Sequence, residues 1–174
     1  TVCVIGYLGG TDAYPEGRRK TVEVLLEKGV RYFDIVMDTI AFSNGRYDEV
    51  GRETASLADL IHQASGEYAV SIETGMFDED KKIAACRMAV AYGADYVRTS
   101  SGLEYWNGAK NAWALLHDIC LVKDTVNGAV KIKSGGRTDF KWIEDMYEFI
   151  QSGADYVDGG EAFLTQLENL NYEA

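Results

Sequence analysis

The chain has 174 residues, of which 47% are hydrophobic, and its formal net charge is −11. This length predicts one domain, residues 1–174, with a substantial core. The negative charge argues against a nucleic-acid partner, because phosphate backbones are bound by basic surfaces, and no apolar run is long enough to predict a membrane-spanning helix.

The cysteines predict a reducing, cytoplasmic location. Cys3, Cys86 and Cys120 are far apart, odd in number and include no C-x-x-C pair, so neither a disulfide nor a zinc site is expected. No other metal or cofactor is indicated. The first six residues have no basic flank and are too short for a signal peptide, and we interpret them as a strand that begins without a leader.

Six strand–helix units are predicted in chain order. Strands are expected where short Tyr-, Val- and Ile-rich runs occur, and helices where apolar residues recur at helical spacing. Pro15 suits the first turn of the first helix, and Asp78 and Asp139 suit N-caps. The predicted strands are residues 1–5, 32–36, 68–72, 96–99, 129–133 and 156–157, and the predicted helices are residues 15–28, 48–63, 78–91, 111–122, 139–152 and 163–170.

One short motif recurs through the chain. Residues 93–97, G-A-D-Y-V, return unchanged at 153–157 and loosely at 29–33. A helix commonly ends at a glycine that adopts the left-handed backbone conformation. No hairpin signal occurs between the strands, so successive strands are predicted to be parallel. Each copy leads to a charged residue, Asp34, Arg98 or Asp158, at the edge where parallel α/β folds place their active sites.

The motifs at the strand ends, taken in order, resemble those of the deoxyribose-phosphate aldolase family. Residues 2–9 resemble V-C-x-V-I-G-F-P-L-G without its proline, and residues 93–102 resemble G-A-D-F-V-K-T-S-T-G. The remaining matches are residues 33–38 with I-D-M-V-I-N/D, 43–47 with K-S-G-D-Y, 71–75 with I-I-E-T-G and 130–138 with V-G-V-K-A-S-G-G-I-R-T. Together they span nearly the whole chain.

The resemblance implies an α/β fold, the (β/α)8 TIM barrel, with about six βα units present in this chain. The family's two N-terminal units have no counterpart among these residues, so we expect an N-terminally incomplete barrel that is completed by another segment or by a partner. A homo-oligomer is also expected. The family's chemistry is a Schiff base between a lysine and an aldehyde, and it needs no cofactor.

The family's catalytic residues map onto Asp34, Arg98 and one of two lysines. Asp34 matches the aspartate that moves protons. The Schiff-base position is Arg98, and a guanidinium cannot lose its proton to form an imine. The second lysine matches Lys133 if two residues are deleted near the glycines, and Lys131 by an ungapped count. Both lysines face the same way because they are two residues apart on a strand.

Two functional hypotheses follow from the arginine. A third, weaker one is a different phosphate-binding barrel enzyme that needs no imine, which the paired glycines favour and the carboxylates of Asp158 and Glu161 disfavour. In the first, Arg98 is the fixed cation that depresses a lysine pKa, and Lys133 or Lys131 is the imine-forming amine. The chain is then an aldolase-type carbon–carbon lyase acting on a small aldehyde or deoxy-sugar, phosphorylated or not. In the second, catalysis is lost, and the chain is a silent homologue, a pseudoenzyme, that binds a ligand or serves in an assembly.

The phosphate-binding end also departs from the family pattern. Asp158 and Glu161 flank the last pair of glycines, and carboxylates repel a phosphate. We therefore expect weak phosphate affinity or a non-phosphorylated ligand. The ligand-binding residues implied by the resemblance are Thr99, Ser100, Gly135, Gly136, Gly159 and Gly160.

Three further features receive weaker interpretations. Glu73, at a strand end, is expected to pair with an interior cation. Asp38 is expected to be a solvated or paired strand-end acid rather than a partner of Asp34 in sharing a proton. Tyr105 and Trp106 are expected to form an aromatic lid or a subunit contact.

Overall fold

Six parallel strands form one sheet in the order in which they occur along the chain. The structure, a computed structural model, describes residues 2–6, 14–102, 116–136, 143–159 and 165. The sheet curls into a half-barrel, which confirms the predicted partial (β/α)8 fold. Its strands are β1 (Val2–Ile5), β2 (Tyr32–Val36), β3 (Glu67–Ser71), β4 (Tyr96–Arg98), β5 (Lys131–Ser134) and β6 (Tyr156–Val157).

Helices connect the strands and lie on one side of the sheet, because each sequential crossover between parallel strands turns to the right. They are α1 (Pro15–Glu27), α2 (Thr39–Ser43), α3 (Tyr47–Gln63), α4 (Glu79–Ala91), α5 (Leu116–Val126) and α6 (Ile143–Ser152), with a 3-10 turn at Thr74–Met76. None of the described helices is both long and apolar enough to cross a membrane.

The predicted elements differ from the observed ones by more than one residue in three places. No helix is predicted at residues 39–43, where α2 lies. The helix before the fifth strand is predicted to end at residue 122, whereas α5 continues to Val126. The fifth strand is predicted to begin at residue 129, whereas β5 begins at Lys131. The predicted helix start at 111–115, the Asp139 cap and the closing helix at 163–170 fall on residues that the structure does not describe, residue 165 apart.

Asp38 caps the helix α2. The Asp38 carboxylate accepts the backbone N–H of Ala41 at 2.8 Å, which satisfies one of the amides that a helix start leaves unpaired. Asp38 is therefore a strand-end acid that is paired with a backbone amide, and this pairing caps a helix that the sequence did not predict. Five residues are too few for a helical period to be visible, which is why the pattern analysis missed α2.

The hydrophobic core lies between the convex face of the sheet and the helices. Alternate strand residues point into it, and these include Phe33, Ile35, Tyr68, Val70 and Val97, each at most 2% exposed. Burying a large apolar side chain of this kind contributes about 2 kcal/mol. The helices supply the opposite wall with Val22, Leu57, Ile61, Ala89, Ile119, Val122 and Phe149.

The recurring G-A-D-Y-V motif joins each helix to its strand. The two glycines that open the exact copies have φ of +87° and +120°, a region that favours glycine. Asp95 accepts the backbone N–H of Tyr68 at 2.8 Å, and Asp155 accepts that of Ile132 at 2.7 Å. Each aspartate thus bonds the beginning of the preceding strand, so the motif repeats for structural reasons.

Candidate active site

Four charged side chains meet on the concave side of the sheet, and we call them the charge cluster: Asp34, Arg98, Lys133 and Asp158. The Nζ of Lys133 lies 2.7 Å from both carboxylate oxygens of Asp34. The Nε of Arg98 lies 3.7 Å from Oδ2 of Asp34, and its Nη2 donates to Oδ2 of Asp158. The cluster therefore contains two anions and two cations that are paired with one another.

Strand geometry explains why these residues meet. Arg98 and Lys133 are register partners on neighbouring strands β4 and β5, so their side chains leave the sheet on the same face. Asp34 lies on β2, and Asp158 directly follows β6. The curl of the half-barrel brings these separate strands toward a common centre, and Lys133 spans the distance from β5 to β2.

A cavity of about 230 Å³ opens beside the cluster on the concave face. Asp34 and Lys133 line it, whereas Arg98 is not among the residues of its wall. The Arg98 side chain is 6% exposed and that of Lys133 is 15% exposed. Lys133 thus borders a cavity whose wall consists mainly of the first residues of the strands, and Arg98 lies outside that wall.

Lys131 lines the same cavity but does not reach Asp34. Its Nζ lies 5.3 Å from the ring centroid of Tyr96 and 6.0 Å from that of Tyr156, distances at which an ammonium interacts with an aromatic face. Both lysines are on the concave side, as the two-residue spacing requires. Of the two alternatives left open by the sequence, only Lys133 contacts the aspartate.

The loops after β4 and β5 are packed against each other. The backbone N–H of Gly135 donates to Oγ1 of Thr99 at 3.1 Å. A Cβ built at Gly135 would overlap the carbonyl oxygen of Ser100 and the guanidinium of Arg98. A glycine is therefore needed at position 135 so that the Arg98 side chain can lie across this loop toward Asp158.

Glu73 holds the loop after β4 from the neighbouring strand. It is 1% exposed and adopts a left-handed conformation with φ of +51°, which is uncommon for a residue with a side chain. Its Oε1 accepts the backbone N–H of Ser101 at 2.8 Å. We expected an interior cation as its partner, whereas among the described residues the partner is this backbone amide.

Sequence comparison finds aldolases among the relatives of this chain. It is 35% identical over 144 residues to a deoxyribose-phosphate aldolase from Clostridioides difficile, a match that covers 83% of this chain and 61% of the relative. It is 31% identical over 171 residues to a deoxyribose-phosphate aldolase from Staphylococcus epidermidis, covering 97% of this chain and 72% of the relative. The chain belongs to the deoxyribose-phosphate aldolase family. No protein-family model matches it.

Solved structures agree with the membership of this aldolase family. An aldolase called QR15 superposes with a TM-score of 0.79 at 27% identity, covering 92% of this chain and 67% of that protein. A tetrameric deoxyribose phosphate aldolase from Aeropyrum pernix superposes with a TM-score of 0.79 at 21% identity, covering 99% of this chain and 68% of that protein; this second likeness concerns the fold. The chain thus spans roughly two thirds of the length of these relatives.

The aldolase-family motifs did not reveal a layer of aromatic residues in the cavity. Tyr32, Tyr96 and Tyr156 line it together with Glu67. The hydroxyl of Tyr96 donates to Oε2 of Glu67, and burial followed by this hydrogen bond raises the pKa of Tyr96 above its usual value of 10.0. A sequence signal existed, since the three tyrosines each lie two residues before a member of the charge cluster and share its face.

The other residues predicted for the site of this aldolase-family chain lie partly within and partly outside the described residues. Thr99 and Ser100 are buried in the loop after β4, Gly136 follows Gly135, and Gly159 is exposed after Asp158. The residues outside the described part of the chain are Gly160, Glu161, Tyr105 and Trp106.

Proposed function

We propose that this chain is an aldolase-type carbon–carbon lyase in which Lys133, instead of the residue at position 98, forms the imine with a small aldehyde or deoxy-sugar. The observation that carries the proposal is the 2.7 Å contact between the Lys133 amine and the Asp34 carboxylate, made by a lysine that also lines the cavity. Arg98 then stands where the family's Schiff-base lysine would be and contributes only its charge, because its guanidinium stays protonated.

The geometry allows the required proton movements. An ammonium must lose a proton before it attacks a carbonyl, and the Asp34 carboxylate is within hydrogen-bonding distance to accept it. The amine adds to the aldehyde carbon, and the hydroxyl of the adduct takes the proton from Asp34 and leaves as water, which gives an iminium. The bond between the second and third carbons then breaks as the third-carbon hydroxyl gives its proton to Asp34 and becomes the carbonyl of the first aldehyde, while the bonding pair moves toward the iminium to form an enamine. Protonation and hydrolysis of the enamine release the second aldehyde.

Borohydride trapping tests this proposal directly. The full chain is incubated with acetaldehyde and sodium borohydride, digested and mapped by mass spectrometry. Borohydride reduces an imine to a stable secondary amine, so the expected result is one ethyl group on the peptide containing Lys133. The Lys133→Met variant should lose the adduct, while the matched variant Lys131→Met, two residues earlier on the same strand, should keep it. An adduct that survives in Lys133→Met would overturn the assignment.

A second candidate, a silent homologue that binds a ligand, is favoured by one observation. The charge cluster is internally paired, with Asp34 between Lys133 and Arg98, an arrangement that is also typical of a static ion-pair network. Absence of any adduct in the native chain, together with trapping at position 98 in Arg98→Lys, would support this candidate over the lyase.

The assembly and location of the protein are parts of the same proposal. Val2 and Val4 on β1 are 48% and 51% exposed. An open parallel sheet with exposed apolar residues tends to associate with other chains. We therefore propose that further strands, from another segment or a partner, cover this face, and that the protein is a cytoplasmic homo-oligomer. Light scattering of the chain, alone and extended at its N-terminus, tests the proposed assembly.

A further inference from the structure

The backbone site that would receive a phosphate is already in use. TIM barrels commonly bind phosphate through the amides of loops that follow their last strands, and in this chain the loop after β5 begins at Gly135. Its N–H donates to Oγ1 of Thr99 at 3.1 Å, and the guanidinium of Arg98 lies where a side chain at position 135 would be. A phosphate that accepts the Gly135 N–H would have to displace its contact with Thr99.

The charges of the cluster also oppose a phosphate. Asp34 and Asp158 balance Arg98 and Lys133 among these four side chains, so the cluster has no net positive charge. Asp158 pairs with Arg98, the cation that lies against the loop, because Nη2 of Arg98 donates to the Asp158 carboxylate. The Asp158 side chain is 31% exposed. A dianion entering here would meet the solvent-accessible carboxylate of Asp158, and like charges at close range are unfavourable.

We propose that Asp158 is a specificity-determining residue that restricts the site to uncharged substrates, namely free short aldehydes and deoxy-sugars without a phosphate. This inference rests on the proposed function, because it concerns the substrate of the same site. Asp158 acts by holding Arg98 against Gly135 and by repelling a second anion. Neutralising it leaves the cluster with a net positive charge and a guanidinium available to an oxyanion.

The test compares two sugars that differ only in the phosphate, 2-deoxyribose and 2-deoxyribose 5-phosphate. Rates of borohydride trapping are measured for the native chain, for Asp158→Asn and for Asp59→Asn, which removes the same charge at an exposed position on α3. In the native chain the phosphorylated sugar should be trapped no faster than the free sugar. In Asp158→Asn the ratio should rise about tenfold in favour of the phosphorylated sugar, and in Asp59→Asn it should not change.

Binding of inorganic phosphate, measured by phosphorus NMR line broadening at constant ionic strength, separates this inference from the proposed function. If neither sugar is trapped, the proposed function fails, while phosphate binding by Asp158→Asn but not by the native chain still supports the role of Asp158. If the native chain prefers the phosphorylated sugar or binds phosphate as well as the variant does, the inference is overturned even though trapping succeeds.

Discussion

At the scale of single residues, the lysines of β5 show how one position acquires a role that its neighbour lacks. Lys131 and Lys133 lie on the same face and line the same cavity. Only Lys133 reaches Asp34, and the ammonium of Lys131 lies over aromatic rings instead. The two-residue spacing puts both lysines on one face of the strand, so the sequence predicts the shared face. The spacing does not show which of the two amines contacts Asp34.

Arg18 and Glu53 form a second buried ion pair, behind the sheet. Nη2 of Arg18 lies 2.6 Å from Oε2 of Glu53, and Nη1 donates to the carbonyl of Val36 at 3.0 Å. The pair therefore ties α1 and α3 to the end of β2, the strand that carries Asp34. Burial raises the pKa of Glu53 above its ordinary value of 4.5, and the attraction of Arg18 offsets this only in part.

This shift predicts a pH dependence of stability. A carboxyl whose pKa is raised by folding binds its proton more tightly in the folded chain, so its contribution to the free energy of unfolding falls as pH rises from about 4.5 through the raised pKa. The Glu53→Gln side chain does not titrate. Urea unfolding should therefore show that the native chain loses stability relative to Glu53→Gln as pH rises over this window. A relative gain would mean that the pairing with Arg18 outweighs burial.

At the scale of elements, glycines join the helices to the strands in two different ways. Gly29 follows α1 with φ of +88°, and a Cβ there would meet nothing within 4 Å. Gly66 precedes β3, and a Cβ there would lie 2.7 Å from the carbonyl oxygen of Arg31 and 2.8 Å from Cγ2 of Ile61. The first glycine is needed for its backbone conformation, and the second for the space that it leaves.

Substitutions separate these two needs. Gly29→Ala should lower the free energy of unfolding by about 1 kcal/mol through its left-handed backbone alone, and Gly29→Asn should cost less because asparagine tolerates that conformation. Gly66→Ala should cost about 2 to 3 kcal/mol, since the new methyl group displaces backbone as well as Ile61. Chemical denaturation measures all three variants. Equal costs for the two alanine variants would contradict the distinction.

At the scale of the whole molecule, the sheet has one covered face and one open face. The convex face is sealed by helices, whereas Val4 and Tyr32 on the concave side are 51% and 49% exposed. Exposed groups of apolar side chains commonly mark interaction surfaces. The open face is also the one that carries the charge cluster and the cavity.

The open face predicts that the chain by itself binds an apolar fluorescent dye such as ANS. Val4→Asn should reduce the bound fluorescence, because Val4 lies on the concave face. The matched substitution Val24→Asn should not, because Val24 is similarly exposed at 42% but lies on helix α1. A dye signal that responds equally to both variants would show that the dye binds elsewhere or to partly unfolded chains.

The sequence by itself determined the parallel strand order, the family and the face on which Asp34, Arg98 and Lys133 lie. These properties depend on local patterns, namely helix-ending glycines, short apolar runs and the two-residue alternation of a strand. Only the tertiary structure decided that Lys133 reaches Asp34 and that Arg98 crosses Gly135 to Asp158. Such contacts join side chains on strands that are not neighbours, and their distances are set by the curl of the whole sheet.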